Sequence, residues 1–162
     1  MNPIELDTPV PDFFAQATRL KDVKLSTLRG WNVVLFFYPK DHTPGCTTEA
    51  SDFRDSYEEF KQAKTVIFGI SRDTLRSHEQ FKEDLQLPFE LITDSDGSLC
   101  HLFDVIRPQN LLGKQVMSVE RSTFLIDQDG ILRQEWRKVK VAEHVDEVLD
   151  AAQALRRSSA RN

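Results

Sequence analysis

Short apolar runs alternate along the chain with amphipathic stretches, and this alternation predicts its architecture. Val33–Tyr38 and Val66–Ser71 are continuous apolar runs of strand length, which is typical of central strands covered on both faces. Between them, apolar residues recur at helical spacing among acidic ones, namely Ala50, Phe53, Tyr57 and Phe60. A strand, a helix and a strand in this order predict two parallel strands joined by a right-handed crossover.

The remainder of the chain continues this pattern and adds a hairpin near its end. The predicted elements are a helix over Leu75–Leu85, a strand over Phe89–Thr93, a short helix carrying Leu99, Cys100 and Phe103, a hairpin of Thr123–Ile126 and Ile131–Trp136, and a last helix over Val145–Leu155. Together they predict an α/β fold with a mixed central sheet and helices on both faces. We expect one domain over residues 1–155 and a frayed tail over residues 156–162.

Charge and cysteine content narrow the classes of function. The net charge is −5, with 21 Lys and Arg against 26 Asp and Glu, which argues against nucleic-acid and membrane partners. No apolar stretch approaches the roughly 18–20 residues that span a bilayer, and the first residues carry no secretory signal pattern. Two cysteines do not make a disulfide scaffold, so we expect a reducing, cytoplasmic location.

The most informative phrase for chemistry is the junction between the first apolar run and the helix that follows it. Pro44 suits the first helical position, which makes Thr43 the N-cap residue and puts Cys46 in the first turn. The free N–H groups of that turn attract an anion, so a thiol there is poised to be a thiolate nucleophile. Gly45 leaves room for a small ligand to approach the backbone, and the Thr43 hydroxyl can donate to the sulfur or to a substrate oxygen.

A thiolate also needs a fixed positive charge, and Arg121 is the best candidate for it. This residue immediately precedes the predicted strand at Thr123–Ile126, so rigid structure sets its direction. Its guanidinium is always charged and donates hydrogen bonds in a fixed fork. Cys46, Thr43, Gly45 and Arg121 are therefore the predicted binding site for a small polar oxygen species.

The spacing Pro39-x-x-x-Thr43-x-x-Cys46 resembles the active-site signature of the peroxiredoxins, and Phe37–Thr47 resembles their bacterioferritin comigratory protein branch, or Q type. Further similarity occurs in order and spacing at Val10–Phe13, Gly69–Ser71 with Asp73, Asp94–Asp96 and Arg121–Asp127. The resemblance therefore covers most of the chain.

This resemblance implies a thioredoxin-like fold and a thiol peroxidase without a cofactor. It makes Cys46 the peroxidatic cysteine, with Pro39, Thr43 and Arg121 as the other catalytic residues. Cys46 would attack a hydroperoxide and become a sulfenic acid, and water or an alcohol would leave. The implied role is antioxidant: the partners are a peroxide substrate and a thiol reductant such as thioredoxin or glutaredoxin. Pro44 and Glu49 are expected to support the site, and the protein is expected to be a monomer or a weak dimer.

The chain departs from many Q-type members in its resolving cysteine. Ser51 stands where many members have it, and Phe81–Lys82, where a second subgroup has it, contains no cysteine. One hypothesis is a one-cysteine mechanism, in which an outside thiol reduces Cys46. The alternative is that Cys100 is the resolving cysteine and reaches Cys46 after local unfolding. A disulfide requires Cα atoms within about 7 Å, so a cysteine on a helix that faces the core would have to move.

Other functions are less consistent with the sequence. A thiol–disulfide oxidoreductase of the thioredoxin class needs a second cysteine close to Cys46, and Thr47–Glu49 supply none. A peroxide sensor or holdase would share the oxidation of Cys46, but the oxidised form would then bind a partner instead of turning over. The four histidines show no metal-binding spacing with the cysteines, so no metal is expected.

Overall fold

The computed structural model describes residues 4–160, and its centre is a seven-stranded sheet in the order β2-β1-β5-β4-β3-β8-β9. The strands are β1 (Phe14–Ala17), β2 (Asp22–Lys24), β3 (Asn32–Phe37), β4 (Thr65–Ser71), β5 (Glu90–Thr93), β6 (Ile106–Leu111), β7 (Lys114–Val119), β8 (Ser122–Ile126) and β9 (Leu132–Trp136). The helices are α1 (Pro44–Asp55), α2 (Tyr57–Gln62), α3 (Leu75–Leu85), α4 (Ser98–Leu102) and α5 (His144–Ala160). Strands β6 and β7 form a separate hairpin.

The predicted mixed sheet is confirmed by the strand pairing. Strand β4 runs parallel to both β3 and β5, whereas β8 pairs antiparallel with β3 and with β9. All six residues of β3 are buried, because helices and loops cover both faces of the sheet at its centre.

Alternate residues of β3 point to two separate hydrophobic cores. Val34 and Phe36 face a core formed with α1, α2, α3 and α5, which we call the α1 face of the sheet. Val33 and Leu35 face a core formed with α4 and the N-terminal segment, which we call the α4 face. The sheet therefore separates two buried compartments.

Register places two distant segments of the chain at the same edge of the sheet. Phe37, the last residue of β3, pairs with Ser122, the first residue of β8. Arg121 consequently lies beside the end of β3, from which the chain continues through Pro39 to α1. A contact between residues far apart in sequence thus results from antiparallel pairing.

Several elements differ from the expectations. The helix predicted through Ala50 and Phe60 is interrupted at Ser56, which separates α1 from α2. The predicted elements do not include the hairpins β1–β2 and β6–β7. Leu112 and Gly113 form the two-residue turn of β6–β7, with φ of 52° and 79°. Within residues 4–160, no helix is long and apolar enough to cross a membrane.

The expected frayed tail is wrong for residues 156–160. Helix α5 continues to Ala160, and Gln128 Nε2 donates a hydrogen bond to Ser159 Oγ at 2.5 Å. This contact ties the last turn of α5 to the turn between β8 and β9. Residues 161 and 162 of the predicted tail lie outside the described part of the chain.

Candidate active site

Cys46 lies in the first turn of α1, as its sequence context predicts. Thr43 is the N-cap residue, Pro44 occupies the first turn, and the sulfur-bearing residue is only 1% exposed. The first backbone bond of the helix runs from Thr47 N to Thr43 O, so the N–H groups of Gly45 and Cys46 precede the helical ladder. The positive end of α1 therefore points towards the thiol.

Arg121 contacts two side chains of α1 with the two arms of its guanidinium. Its Nη2 lies 3.3 Å from Cys46 Sγ, and its Nη1 donates to Glu49 Oε1 at 2.8 Å. Cys46 and Glu49 are three residues apart and therefore share one face of the helix. Arg121 is only 16% exposed, so its charge acts on the sulfur with little solvent between them.

Glu49 is the most perturbed acid of this site. Its side chain is fully buried, and its Oε2 has no hydrogen-bond partner among the described residues. Burial raises the pKa of Glu49 to about 7, although the Arg121 charge opposes this shift. The same ion pair acts on the guanidinium: burial lowers the pKa of Arg121, but Glu49 and Cys46 outweigh it and raise that pKa.

The remaining predicted site residues lie in the loop before α1 and in its first turn. We expected the Thr43 hydroxyl to donate to the sulfur or to a substrate oxygen. In this structure it donates to Lys40 O at 2.8 Å and thereby closes the turn before the helix. A Cβ atom on Gly45 would lie 3.2 Å from Arg121 Nη2, so glycine lets the guanidinium pack against the helix start. Pro39 and Pro44 are exposed.

Cys100 lies in the other compartment of the protein. It is fully buried on the α4 face, whereas Cys46 belongs to the core on the α1 face. Its backbone N–H donates to Asp94 Oδ2 at 2.8 Å, as part of the N-terminal capping of α4. Burial and the Asp94 carboxylate raise the pKa of the Cys100 thiol, which keeps it a thiol rather than a nucleophilic thiolate.

Two buried histidines complete the polar surroundings. His144 Nε2 forms a hydrogen bond of 2.8 Å with Thr123 Oγ1 on β8. Burial, together with the Arg121 charge, lowers the pKa of His144 to about 4. His78 bonds to Asp41 in the loop before α1, with Asp73 nearby. The side chains of Asp41, Asp73 and His78 lie close enough together to hold a metal ion. Their oxygen and nitrogen atoms, however, already form hydrogen bonds with one another and with neighbouring side chains.

The sequence did not identify this Asp41–His78 contact. Two signals in the sequence point to these residues. Asp41 lies in the segment Phe37–Thr47 that resembles the family, and His78 lies on the apolar face of a predicted helix. Their contact depends on how α3 packs against the sheet.

Comparison with known proteins now identifies the family. The AhpC/TSA family model matches residues 6–135, which is most of the chain. The chain belongs to the AhpC/TSA family. It is 50% identical over 146 residues to "Peroxiredoxin Bcp" of Bacillus subtilis, a match that covers 90% of this chain and 93% of the relative.

Solved structures agree with this assignment. A structure described with the alkyl peroxide reduction activity of Xanthomonas campestris bacterioferritin comigratory protein has 44% identity and a TM-score of 0.85, covering 89% of this chain and 92% of that one. A cysteine-to-serine mutant of Xanthomonas campestris peroxiredoxin Q has 42% identity and a TM-score of 0.88, covering 96% and 99%. The predicted peroxiredoxin family, thioredoxin-like fold and thiol peroxidase activity are thereby confirmed.

Proposed function

We propose that this peroxiredoxin is a one-cysteine peroxidase in which Cys46 reacts with the peroxide and an outside thiol completes the cycle. The observation that carries the proposal is the separation of the two cysteines. Cys46 and Cys100 occupy cores on opposite faces of the sheet, so an internal disulfide would require α1 or α4 to leave its packed position.

In the first step the Cys46 thiolate attacks the terminal oxygen of a hydroperoxide. The S–O bond forms as the O–O bond breaks, sulfur loses two electrons, and the leaving oxygen takes a proton to become water or an alcohol. Arg121 Nη2, already 3.3 Å from Sγ, and the N–H groups of Gly45 and Cys46 are aimed at the charge that develops on the oxygens. The Thr43 hydroxyl would turn from Lys40 O to the substrate.

In the second step a thiol of the reductant attacks the Cys46 sulfenic acid. A mixed disulfide and water form, and a second reductant thiol then releases Cys46 as a thiol. Thioredoxin, glutaredoxin or a small thiol would each satisfy this chemistry. Because Cys46 is only 1% exposed, the first turn of α1 must open before a protein reductant can reach the sulfur.

Hydrogen peroxide and organic hydroperoxides are the proposed substrates. The described activity of the Xanthomonas campestris relative on alkyl peroxides supports the second class. We further propose a cytoplasmic location, in keeping with two free buried cysteines, and a monomer or weak dimer.

Intact mass spectrometry after one equivalent of peroxide tests the mechanism. We expect a sulfenic acid that a trapping reagent captures on Cys46, and no loss of two hydrogens from the chain. Cys46→Ser should abolish peroxide consumption with dithiothreitol, whereas the matched variant Cys100→Ser should retain it. A Cys46–Cys100 disulfide in the wild type, together with loss of turnover in Cys100→Ser, would establish the two-cysteine alternative instead.

A further inference from the structure

Asp41 lies in the middle of the loop that connects β3 to α1, and its carboxylate is buried. Its Oδ1 accepts a hydrogen bond from Tyr38 Oη at 2.6 Å, and its Oδ2 lies 2.8 Å from Ser77 Oγ and 2.7 Å from His78 Nδ1. Its backbone N–H donates to Asp73 Oδ2 at 2.8 Å. Groups from the residue after β3, from the loop after β4 and from α3 therefore fix this one residue of the loop.

The contacts of His78 define its protonation. The ring is fully buried, and its Nε2 lies 3.0 Å from Ile92 O, a carbonyl oxygen that can only accept. Its Nδ1 faces the Asp41 carboxylate, which also accepts when it is ionised. The pair therefore holds one proton more than an ionised aspartate and a neutral histidine would.

The hydrogen bonds that Tyr38 Oη and Ser77 Oγ donate to Asp41 favour an ionised carboxylate, which places this extra proton on the imidazole. Burial raises the pKa of Asp41, but the hydrogen bonds from His78, Tyr38 and Ser77 outweigh that effect and lower it. The other titratable groups that face the pair are Tyr38, whose pKa burial and Asp41 raise, and Asp73, which also accepts from Ser71 Oγ. An ionised Asp41 beside two such neighbours requires a cationic partner.

We propose that Asp41 and His78 form a buried ion pair that positions the loop before α1, and with it Cys46 against Arg121. Both are positioning residues, since their contacts reach the reacting sulfur only through the backbone. The proposal rests on the proposed role of Cys46. The short path from Asp41 to the N-cap residue Thr43, which itself bonds back to Lys40 O, couples the buried pair to the helix start.

The same loop offers a matched control. His42, the next residue, reaches the same helix α3 through Asp84, with Nε2 and Oδ2 3.1 Å apart. This second pair is 46% and 47% exposed, so solvent screens it and little positioning is expected from it. Asp41 and Asp84 thus join one loop to one helix and differ in burial.

The first experiment compares Asp41→Asn with Asp84→Asn. Asparagine keeps the shape of Asp41 and can donate to a neutral His78, so the charge pair is lost together with the hydrogen bond that Ser77 Oγ donates to Oδ2. We expect the rate constant for Cys46 oxidation by hydrogen peroxide to fall about tenfold or more in Asp41→Asn, because small misplacements of reacting groups are costly. In Asp84→Asn it should stay within about twofold of the wild type.

A second readout separates positioning from general loosening of the fold. Alkylation of Cys46 by iodoacetamide needs an accessible thiolate but no aligned peroxide pocket, so at a pH that ionises the sulfur in both proteins it should not fall in Asp41→Asn. Equal loss of both reactions, or equal peroxide rates in the two asparagine variants, would overturn the proposal. A wild type whose Cys46 does not react with peroxide would instead overturn the proposed function.

The protonation of His78 is measured directly by ¹⁵N NMR of the reduced wild type. Both ring nitrogens should carry protons at neutral pH, and one should lose its proton in Asp41→Asn. A neutral His78 in the wild type would overturn the ion pair even if Asp41→Asn failed to fold. Ser77→Ala, which removes one bond to Asp41, should then lower the peroxide rate by less than Asp41→Asn.

Discussion

At the scale of single residues, the site depends on how Arg121 divides its hydrogen bonds between a sulfur and a buried carboxylate. Glu49 fixes one arm of the guanidinium at 2.8 Å and so directs the other arm towards Cys46 Sγ. The cost of this arrangement is a buried acid with one oxygen that has no hydrogen-bond partner within residues 4–160. That cost has a measurable dependence on pH.

Glu49→Gln should remove one specific component of the pH dependence of stability. The pKa of Glu49 is 4.5 as a free side chain and about 7 in the fold, so the folded protein holds a proton there that the unfolded chain has released. Its contribution is fully present below pH 4.5 and is lost as the pH rises through about 7. The shift corresponds to on the order of 3 kcal/mol.

Urea unfolding of the wild type and Glu49→Gln at several pH values measures this component. The wild type should lose stability relative to the variant between about pH 4.5 and 7. Glu58→Gln, a matched change at an exposed position of α2, should follow the wild type. Parallel curves for the wild type and Glu49→Gln would show that Glu49 ionises in the fold as it does in the unfolded chain.

At the scale of elements, apolar patterning predicted the parts that pack tightly and missed those that do not. The central strands are continuous apolar runs because both of their faces are buried, and the helices of the α1 face show a helical period because each buries one stripe. The β6–β7 hairpin has little burial to pattern it, and its exposed apolar residues Leu111, Leu112, Val116 and Met117 give no alternation. Strand β1 contains two alanines, which have low strand propensity.

The candidate site was predicted where local rules apply. Capping preferences place Cys46 in the first turn of α1, and the resemblance points to Arg121. Two features could not be predicted in the same way. They are the pair of hydrogen bonds from Arg121 to Cys46 and Glu49, and the contact between Asp41 and His78. They depend on the β3–β8 register and on the packing of α3, which are long-range features.

Gly45→Ala should change the stability of α1 and the activity in opposite directions. Alanine in place of glycine favours a helix by about 0.5–1 kcal/mol. Its Cβ would lie 3.2 Å from Arg121 Nη2, so the guanidinium must shift by a few tenths of an ångström, although Glu49 holds its other arm. We expect an unchanged or higher melting temperature and a peroxide rate lowered by about tenfold.

Stopped-flow oxidation and thermal unfolding of the same preparations measure both effects. Thr48→Ala is the control, because Thr48 is an exposed residue of the same helix. It should keep the peroxide rate of the wild type. If Gly45→Ala also keeps that rate, contact between Arg121 Nη2 and the sulfur is not what limits the reaction.

At the scale of the whole molecule, the sheet acts as a partition between the two cysteines. Cys46 packs with α1, α2, α3 and α5, and Cys100 packs with α4 and the N-terminal segment. Access to Cys46 requires only the first turn of its helix to open. We expect contact between the two sulfurs to need a much larger opening, because each sulfur lies in its own buried core.

These two openings should differ in their response to urea, since the slope of free energy with denaturant scales with the surface exposed. After one equivalent of peroxide, the rate of Cys46–Cys100 disulfide formation should rise with urea as steeply as the equilibrium constant of global unfolding does. Fluorescence of Trp31 and Trp136 measures that global unfolding separately. Alkylation of Cys46 in Cys100→Ser should accelerate with a much smaller slope. Quenched mass spectrometry at each urea concentration gives both rates. Disulfide formation that is fast without urea, or that has the shallow slope of alkylation, would mean that Cys100 reaches Cys46 by local motion and that the sheet is no barrier between them.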